Sequence, residues 1–88
     1  MYCIVTYDVK AQRNAQILKV LRQYLFRVQN SVFEGELSPV QYKKLRSELK
    51  EVTNPEDGDV ISFYSTITSA SIRRKDIGDV PDNTSLVI

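Results

Sequence analysis

Residues 2–8, YCIVTYD, decide the fold of this chain of 88 residues. Both alternating sets of side chains in this stretch are largely apolar, which is typical of a central β-strand with at least one covered face. The stretch ends in the carboxylate of Asp8, and a basic helix follows. A rigid strand end that leads into a helix often carries a functional side chain, although a helix cap or a polar strand end would also account for Asp8.

The next segments alternate between helical and extended patterns. Helical spacing of apolar residues runs from about residue 12 to 24. Residues 26–37 are rich in Val and Phe and predict either a tight hairpin or one long strand with a bulge. A second helix begins after Ser38, because Pro39 and Gln41 complete the pattern of an N-cap, a first-turn proline and a capping box.

A last strand over residues 60–67 completes the order βαββαβ. This order predicts an α+β, ferredoxin-like fold, in which two helices cover one face of a four-stranded antiparallel sheet. The other face would expose apolar residues, which predicts a homodimer. We therefore expect a core domain over residues 1–67 and a C-terminal tail over 68–88, whose short strand at 85–88 pairs with the partner protomer.

The composition is that of one small soluble domain. Apolar residues make up 42% and charged residues 26% of the chain, and no apolar run approaches the ~20 residues that span a bilayer. The N-terminus lacks the basic segment of a signal peptide. Cys3 is the only cysteine, which excludes an internal disulfide and predicts a buried thiol. We expect a cytoplasmic protein without a membrane partner.

The formal net charge of +1 hides an asymmetry. Residues 1–46 carry a net charge of +5 and residues 47–88 a net charge of −4. This distribution indicates either a surface that binds a polyanion or solvated helix faces.

The residue types limit the chemistry. The chain has no histidine and one cysteine, which excludes serine triads, imidazole metal sites and thiolate zinc sites. Oxygen ligands alone select Mg²⁺ or Mn²⁺. One carboxylate binds such an ion poorly, but a two-fold axis near the end of the first strand would bring Asp8 of both protomers together.

Two segments resemble the CRISPR-associated Cas-two family: residues 5–9 with Arg13 in the following helix, and residues 27–37, RVQNSVFEGEL. The similarity runs over residues 1–67, and the tail with its final apolar strand is also similar to the family. The resemblance implies a ferredoxin-like homodimer whose tail strand packs on the partner sheet. Members are described as Mg²⁺-dependent endonucleases, mostly on single-stranded RNA and sometimes on double-stranded DNA. They also form the central dimer of the complex that inserts invader DNA into the CRISPR array beside the Cas-one integrase.

The resemblance also implies roles for single residues. Asp8 matches a metal-binding aspartate that is shared across the dimer, and Tyr7 matches the tyrosine beside it. Arg13, Arg27 and Phe33 match residues linked to nuclease activity. Strand alternation points Tyr7 and Asp8 to opposite faces, which also allows core packing for Tyr7. Core or interface packing is the alternative for Phe33, and a surface ion pair is the alternative for Arg27.

Two main functions follow. The first is a metal-dependent endonuclease that acts in spacer acquisition. The second is a non-catalytic dimeric scaffold that grips duplex DNA for the integrase, and a toxin-like ribonuclease outside CRISPR loci is a third. Gln16 lies where many members have a basic residue, so phosphate binding there is expected to be weaker. The candidate nucleic-acid contacts are Lys19, Arg22, Lys43, Lys44, Arg73, Arg74 and Lys75.

Overall fold

The computed structural model of the chain describes residues 1–66 and 72–78, with side chains for residues 1–66 and 76–78. Its elements are strand β1 (Tyr2–Asp8), helix α1 (Ala11–Leu21), strand β2 (Phe26–Gln29), strand β3 (Val32–Glu36), helix α2 (Pro39–Val52), strand β4 (Val60–Thr66) and strand β5 (Ile72–Ile77). A short 3₁₀ turn, Pro55–Asp57, lies between α2 and β4. The predicted α+β, ferredoxin-like order βαββαβ is confirmed, and a fifth strand follows it.

The five strands form one sheet in the order β2-β3-β1-β4-β5. Every neighbouring pair is antiparallel. β1 therefore lies in the centre of the sheet, between β3 and β4, as its apolar pattern predicts. The register places Asp8 at the end of β1 directly opposite Val60, the first residue of β4.

Strand β5 was not predicted from the sequence, which assigned residues 68–88 to a tail. It pairs with β4 of the same chain, with Ile77 opposite Ile61. The stretch Ile72–Ile77 is apolar only at its two ends, so it lacks the alternation that identifies a strand. Charged residues in a strand are typical of a sheet edge. The predicted tail strand at 85–88 lies outside the described residues.

The core fills the space between the sheet and the two helices. The odd-numbered residues of β1 point into it, and Cys3 and Val5 are fully buried. The Cys3 thiol is free and buried, as predicted. Further core side chains come from α1, the segment after it, β3 and its end, α2, β4 and β5: Ile17, Leu21, Leu25, Phe33, Leu37, Leu45, Leu49, Ile61, Phe63 and Ile77.

Local sequence accounts well for the hairpin and for the start of α2. Residues 26–36 form a hairpin with an irregular register between Arg27 and Gln29. At α2, the Ser38 hydroxyl accepts a hydrogen bond from the Gln41 backbone N–H at 3.1 Å, and the Gln41 side chain accepts one from the Ser38 N–H at 2.9 Å. The predicted capping box is thus confirmed. Neither helix in the described residues is long and apolar enough to cross a membrane.

We predict that Ser38→Ala lowers the free energy of unfolding by about 1 kcal/mol, because the first turn of α2 loses a capping acceptor. Urea denaturation measures the change. Ser47→Ala is the matched control, since Ser47 is exposed in the middle of the same helix, and its effect should stay within about 0.5 kcal/mol. Equal losses in both variants would contradict the capping role.

Candidate functional site

Asp8 is exposed on the face of the sheet that the helices leave open. Tyr7, the preceding residue, points into the core and is only 6% exposed. The opposite directions of these two side chains follow from strand alternation, as the sequence indicated. Asp8 therefore presents its carboxylate at the end of the central strand, on the side away from α1 and α2.

Tyr7 and Arg27 meet at the turn of the β2–β3 hairpin. The Tyr7 hydroxyl donates a hydrogen bond to the backbone oxygen of Asn30 at 2.9 Å, and Arg27 Nη2 donates to the same oxygen at 3.1 Å. Burial raises the pKa of Tyr7, and the nearby charges of Arg27 and Arg22 partly oppose this increase. The core-packing alternative for Tyr7 is what the structure shows. Arg27 is exposed and keeps further N–H groups for a ligand.

Phe33 is fully buried in the core. Its ring centroid lies 6.3 Å from that of Tyr7. A ring without exposed surface cannot stack on a nucleic-acid base, so Phe33 packs the core beneath β1 in this structure. Its core alternative is the one that the structure shows.

Arg13 forms an ion pair with two carboxylates. Its Nε and Nη2 both donate to the Asp59 carboxylate, with an Nη2 distance of 3.0 Å, and Nη2 also donates to Asp57 at 2.8 Å. These hydrogen bonds raise the pKa of Arg13. The guanidinium therefore lies at the same end of the sheet as Asp8 but is held by Asp59, whose side chain is buried.

Asp59 is the residue at this end that sequence reasoning missed. Its side chain is 0% exposed. Besides Arg13, it accepts backbone N–H groups from Lys10 at 2.9 Å and from Asn54 at 3.0 Å. These donors, led by the Arg13 side chain, lower the pKa of Asp59 to about 2 despite its burial. In the sequence, Asp59 follows the turn signal Asp57-Gly58, and no local pattern distinguishes its carboxylate as buried.

The Asp59 carboxylate thus holds the chain just after Asp8. Through Lys10 it fixes the loop between β1 and α1, and through Arg13 it fixes the first turn of α1. Because Val60 pairs with Asp8 in the sheet, the same cluster also fixes β4 beside the candidate site. The arrangement makes Asp59 a positioning residue for the Asp8 loop.

The predicted nucleic-acid contacts do not surround Asp8. Lys19, Arg22, Lys43 and Lys44 are exposed on α1, its end and α2, and the helices lie on the opposite face of the sheet from Asp8. Arg73, Arg74 and Lys75 belong to β5, where their backbones pair with Ser65, Tyr64 and Phe63. The structure therefore separates the candidate carboxylate from the basic residues on the helices.

One chain holds few ligands for a metal ion. Among the described residues, no group of three or more His, Cys, Asp or Glu side chains could hold an ion. The oxygen chemistry of Asp8 fits Mg²⁺ or Mn²⁺, but one carboxylate leaves most of the coordination sphere to other donors. A second copy of Asp8, phosphate oxygens and water are donors of the right kind.

The fold and the site define a class: ferredoxin-like proteins with an exposed carboxylate at the end of the first, central strand. The chain belongs to the family of the CRISPR associated protein Cas2, whose family model matches residues 1–74. This is the family that the sequence resembles.

Individual relatives agree with this assignment. A CRISPR-associated endoribonuclease Cas2 of Methanosarcina acetivorans is 40% identical over 88 residues, covering 100% of both chains. One of Thermotoga maritima is 50% identical over 64 residues, covering 73% of this chain and 72% of the relative. A crystal structure of Cas2 matches with a TM-score of 0.74 and 38% identity, covering 100% of this chain and 94% of that one.

We predict that Asp59→Asn lowers the free energy of unfolding by about 3 kcal/mol at neutral pH, because one charge of a buried ion pair is removed. Chemical denaturation measures the loss. The control is Asp57→Asn, which removes the more exposed carboxylate of the same cluster and should cost less than about 1 kcal/mol. A similar loss in both variants would contradict the importance of burial.

The difference in stability between the wild type and Asp59→Asn depends on pH, and the pKa of Asp59 gives the sign of this dependence. The pKa of Asp59 in the folded chain lies below its ordinary value of 3.8, so the ionised carboxylate stabilises the fold above that pH. This stabilisation is lost as the pH falls from about 4 towards 2. The stabilities of the wild type and of Asp59→Asn should therefore converge in that range.

Proposed function

We propose that this chain is a metal-dependent endoribonuclease that acts as a homodimer in the cytoplasm, in the spacer-acquisition stage of CRISPR defence. The observation that carries the proposal is Asp8, a carboxylate exposed at the end of the central strand. Relatives that carry the name CRISPR-associated endoribonuclease Cas2 support the reaction class. Single-stranded RNA is the proposed substrate, with double-stranded DNA as a second one.

The helix-free face of the sheet supports the dimer. Tyr2 and Phe26 are 38% and 79% exposed there, and Ile4 and Val32 are half-buried on the same face. Apolar side chains that are exposed on the β1, β2 and β3 part of this face favour burial against a second copy. A two-fold axis near the end of β1 would then place the two Asp8 carboxylates opposite each other.

In this dimer, both Asp8 carboxylates would hold Mg²⁺, and Mn²⁺ is chemically equivalent in this role. When bound, the ion supplies a Lewis acid and an acidified water for hydrolysis of a phosphodiester. The Asp59 cluster keeps the Asp8 loop in place, so little reorganisation is needed when substrate binds. Arg27 is exposed at the hairpin, on the side of the sheet that carries Tyr7 and not Asp8. It is therefore the proposed contact of a substrate phosphate beyond the edge of the sheet, away from the hydrolysed bond.

The second candidate function is a scaffold that grips duplex DNA and docks the Cas-one integrase. The basic side chains on the helices support it, since they lie on the face opposite Asp8 and need no metal. The two functions are compatible in one dimer. They differ in whether Asp8 is required.

We predict that Asp8→Ala reduces Mg²⁺-stimulated RNA cleavage by about 100-fold or more. The ion contributes several kcal/mol to the transition state, and each ~1.4 kcal/mol is a factor of ten in rate. Single-turnover cleavage of labelled RNA measures the loss. Glu56→Gln is the control, because it removes an exposed carboxylate in the turn before β4 and should leave the rate unchanged.

Duplex binding in EDTA should be retained by Asp8→Ala, since the basic residues are on the other face. Unchanged cleavage by a rigorously purified Asp8→Ala protein would rule out the hydrolytic role of Asp8. The scaffold function would then be the better account of the molecule.

A shared metal site predicts a particular result when subunits are mixed. Wild-type and Asp8→Ala chains refolded together in equal amounts should retain about one quarter of the wild-type activity, because only dimers with two intact carboxylates cleave. Cleavage rates across mixing ratios test this dependence on the square of the wild-type fraction. A linear dependence would show that each Asp8 acts alone.

A further inference from the structure

Helix α2 separates its charges onto two flanks. Lys43, Arg46 and Lys50 follow one another at intervals of three and four residues, so they lie on the same side of the helix. Ser47 lies between them in this row. The four side chains line a shallow depression along the helix. We call this row of four residues the basic flank.

The other flank of α2 carries opposite charges together. Lys44 lies there with Glu48 and Glu51, four and seven residues further along the helix. Tyr24, just after α1, donates a hydrogen bond to Glu48, so this flank faces α1. The positive charge of Lys44 is thus offset by neighbouring carboxylates, whereas the basic flank contains no acidic residue.

Arg46 is unusually placed for a surface arginine. Its guanidinium lies 5.8 Å from the ring centroid of Tyr42 and 5.7 Å from that of Phe63. Its Nε atom is buried and has no hydrogen-bond partner within the described part of the chain. The two rings orient the guanidinium plane by cation–π contact, while a buried donor without an acceptor is costly. An anionic ligand at this position would bring a negative charge next to the guanidinium, and its oxygens would accept hydrogen bonds from guanidinium N–H groups.

Two further features lie next to Arg46. Towards the N-terminus of α2, Lys43 and Arg46 also line a second open depression, together with Met1, Val40 and Tyr42. Across the sheet, the backbone of Lys75 in β5 pairs with Phe63, the residue over which Arg46 lies. The strand that carries the basic run of residues 73–75 is therefore adjacent to β4, the strand that carries Phe63.

The spacing of the cations fits a polynucleotide. Lys43 and Lys50 are separated by seven residues, or about 10 Å along the helix axis. One strand of a duplex has a phosphate every ~3.4 Å along its axis, so a length of about 10 Å covers four successive phosphates and gives each of the three cations a phosphate within reach. A hydroxyl such as that of Ser47 is a common additional donor to phosphate oxygens.

We infer that the basic flank of α2 (Lys43, Arg46, Ser47 and Lys50) binds the phosphodiester backbone of duplex DNA, on the face of the sheet opposite Asp8. The inference rests on the proposed function only for its choice of a nucleic acid as the partner. It assigns phosphate contacts to Arg46 and Lys50, which the sequence did not indicate. It also removes Lys44 from the predicted contacts, since Lys44 lies on the flank that faces α1.

The test is the salt dependence of binding to a short duplex DNA in EDTA, where no metal-dependent cleavage occurs. The plot of log K against log salt has a negative slope, and each lost phosphate contact makes this slope shallower by about 0.9. Lys43→Gln and Lys50→Gln should each show this decrease, and the double variant about 1.8. Arg46 stays unchanged in these proteins because it packs on two core-side rings. Lys44→Gln is the matched control with the same change in charge, and its slope should equal that of the wild type.

Three results would overturn the inference. The first is an unchanged slope in the Lys43→Gln, Lys50→Gln double variant, which would leave an acidic protein surface as the partner of the flank. The second is an equal decrease in Lys44→Gln, which would mean that overall charge alone matters. The third is the absence of duplex binding by the wild type. Because the assay contains no metal, none of these results depends on whether Asp8 is catalytic.

Discussion

The hydrogen bonds of the buried Asp59 carboxylate hold together the end of the sheet at which Asp8 lies. It receives N–H groups from the loop after β1, from the first turn of α1 and from the segment after α2. A carboxylate without exposure is tolerated only when such donors are all in place. Gly78, at the end of β5, has a positive φ of 99°, and a Cβ at this position would collide with the Asp59 backbone oxygen. The loop after β1, the first turn of α1, the segment after α2 and the end of β5 therefore all contact Asp59. Its neighbour Val60 pairs with Asp8 in the sheet.

This convergence explains why Arg13 has a structural task in this chain. The resemblance to the family links an arginine at this position to nuclease activity, and that role for Arg13 stays a prediction. Its guanidinium, however, is bound by Asp59 and Asp57. Loss of such an arginine would release the Asp8 loop and so reduce activity without any contact to substrate. Phe33 is fully buried, so its predicted role in the proposed activity is likewise indirect, through the packing of the core.

The sheet also divides the chemistry of the molecule between two faces. The open face presents Asp8 and exposed apolar side chains such as Tyr2 and Phe26. The helix face presents the basic residues, and on α2 one flank carries Lys43, Arg46 and Lys50 without an acidic residue among them. In the proposed dimer, hydrolysis of RNA at Asp8 and binding of duplex DNA by the basic residues would therefore take place on different faces of the sheet.

The sequence by itself determined the features that depend on near neighbours. Alternation predicted that Tyr7 and Asp8 point to opposite faces, and the residue types around Ser38 predicted the start of α2, because strand period and helix capping involve only residues a few positions apart. The tertiary structure decided the rest. Arg13 and Asp59 are 46 residues apart in the chain, and β5 is a strand because β4 offers it an edge, not because its own residues alternate. Such partners are chosen by the closure of the whole sheet, which no local pattern encodes.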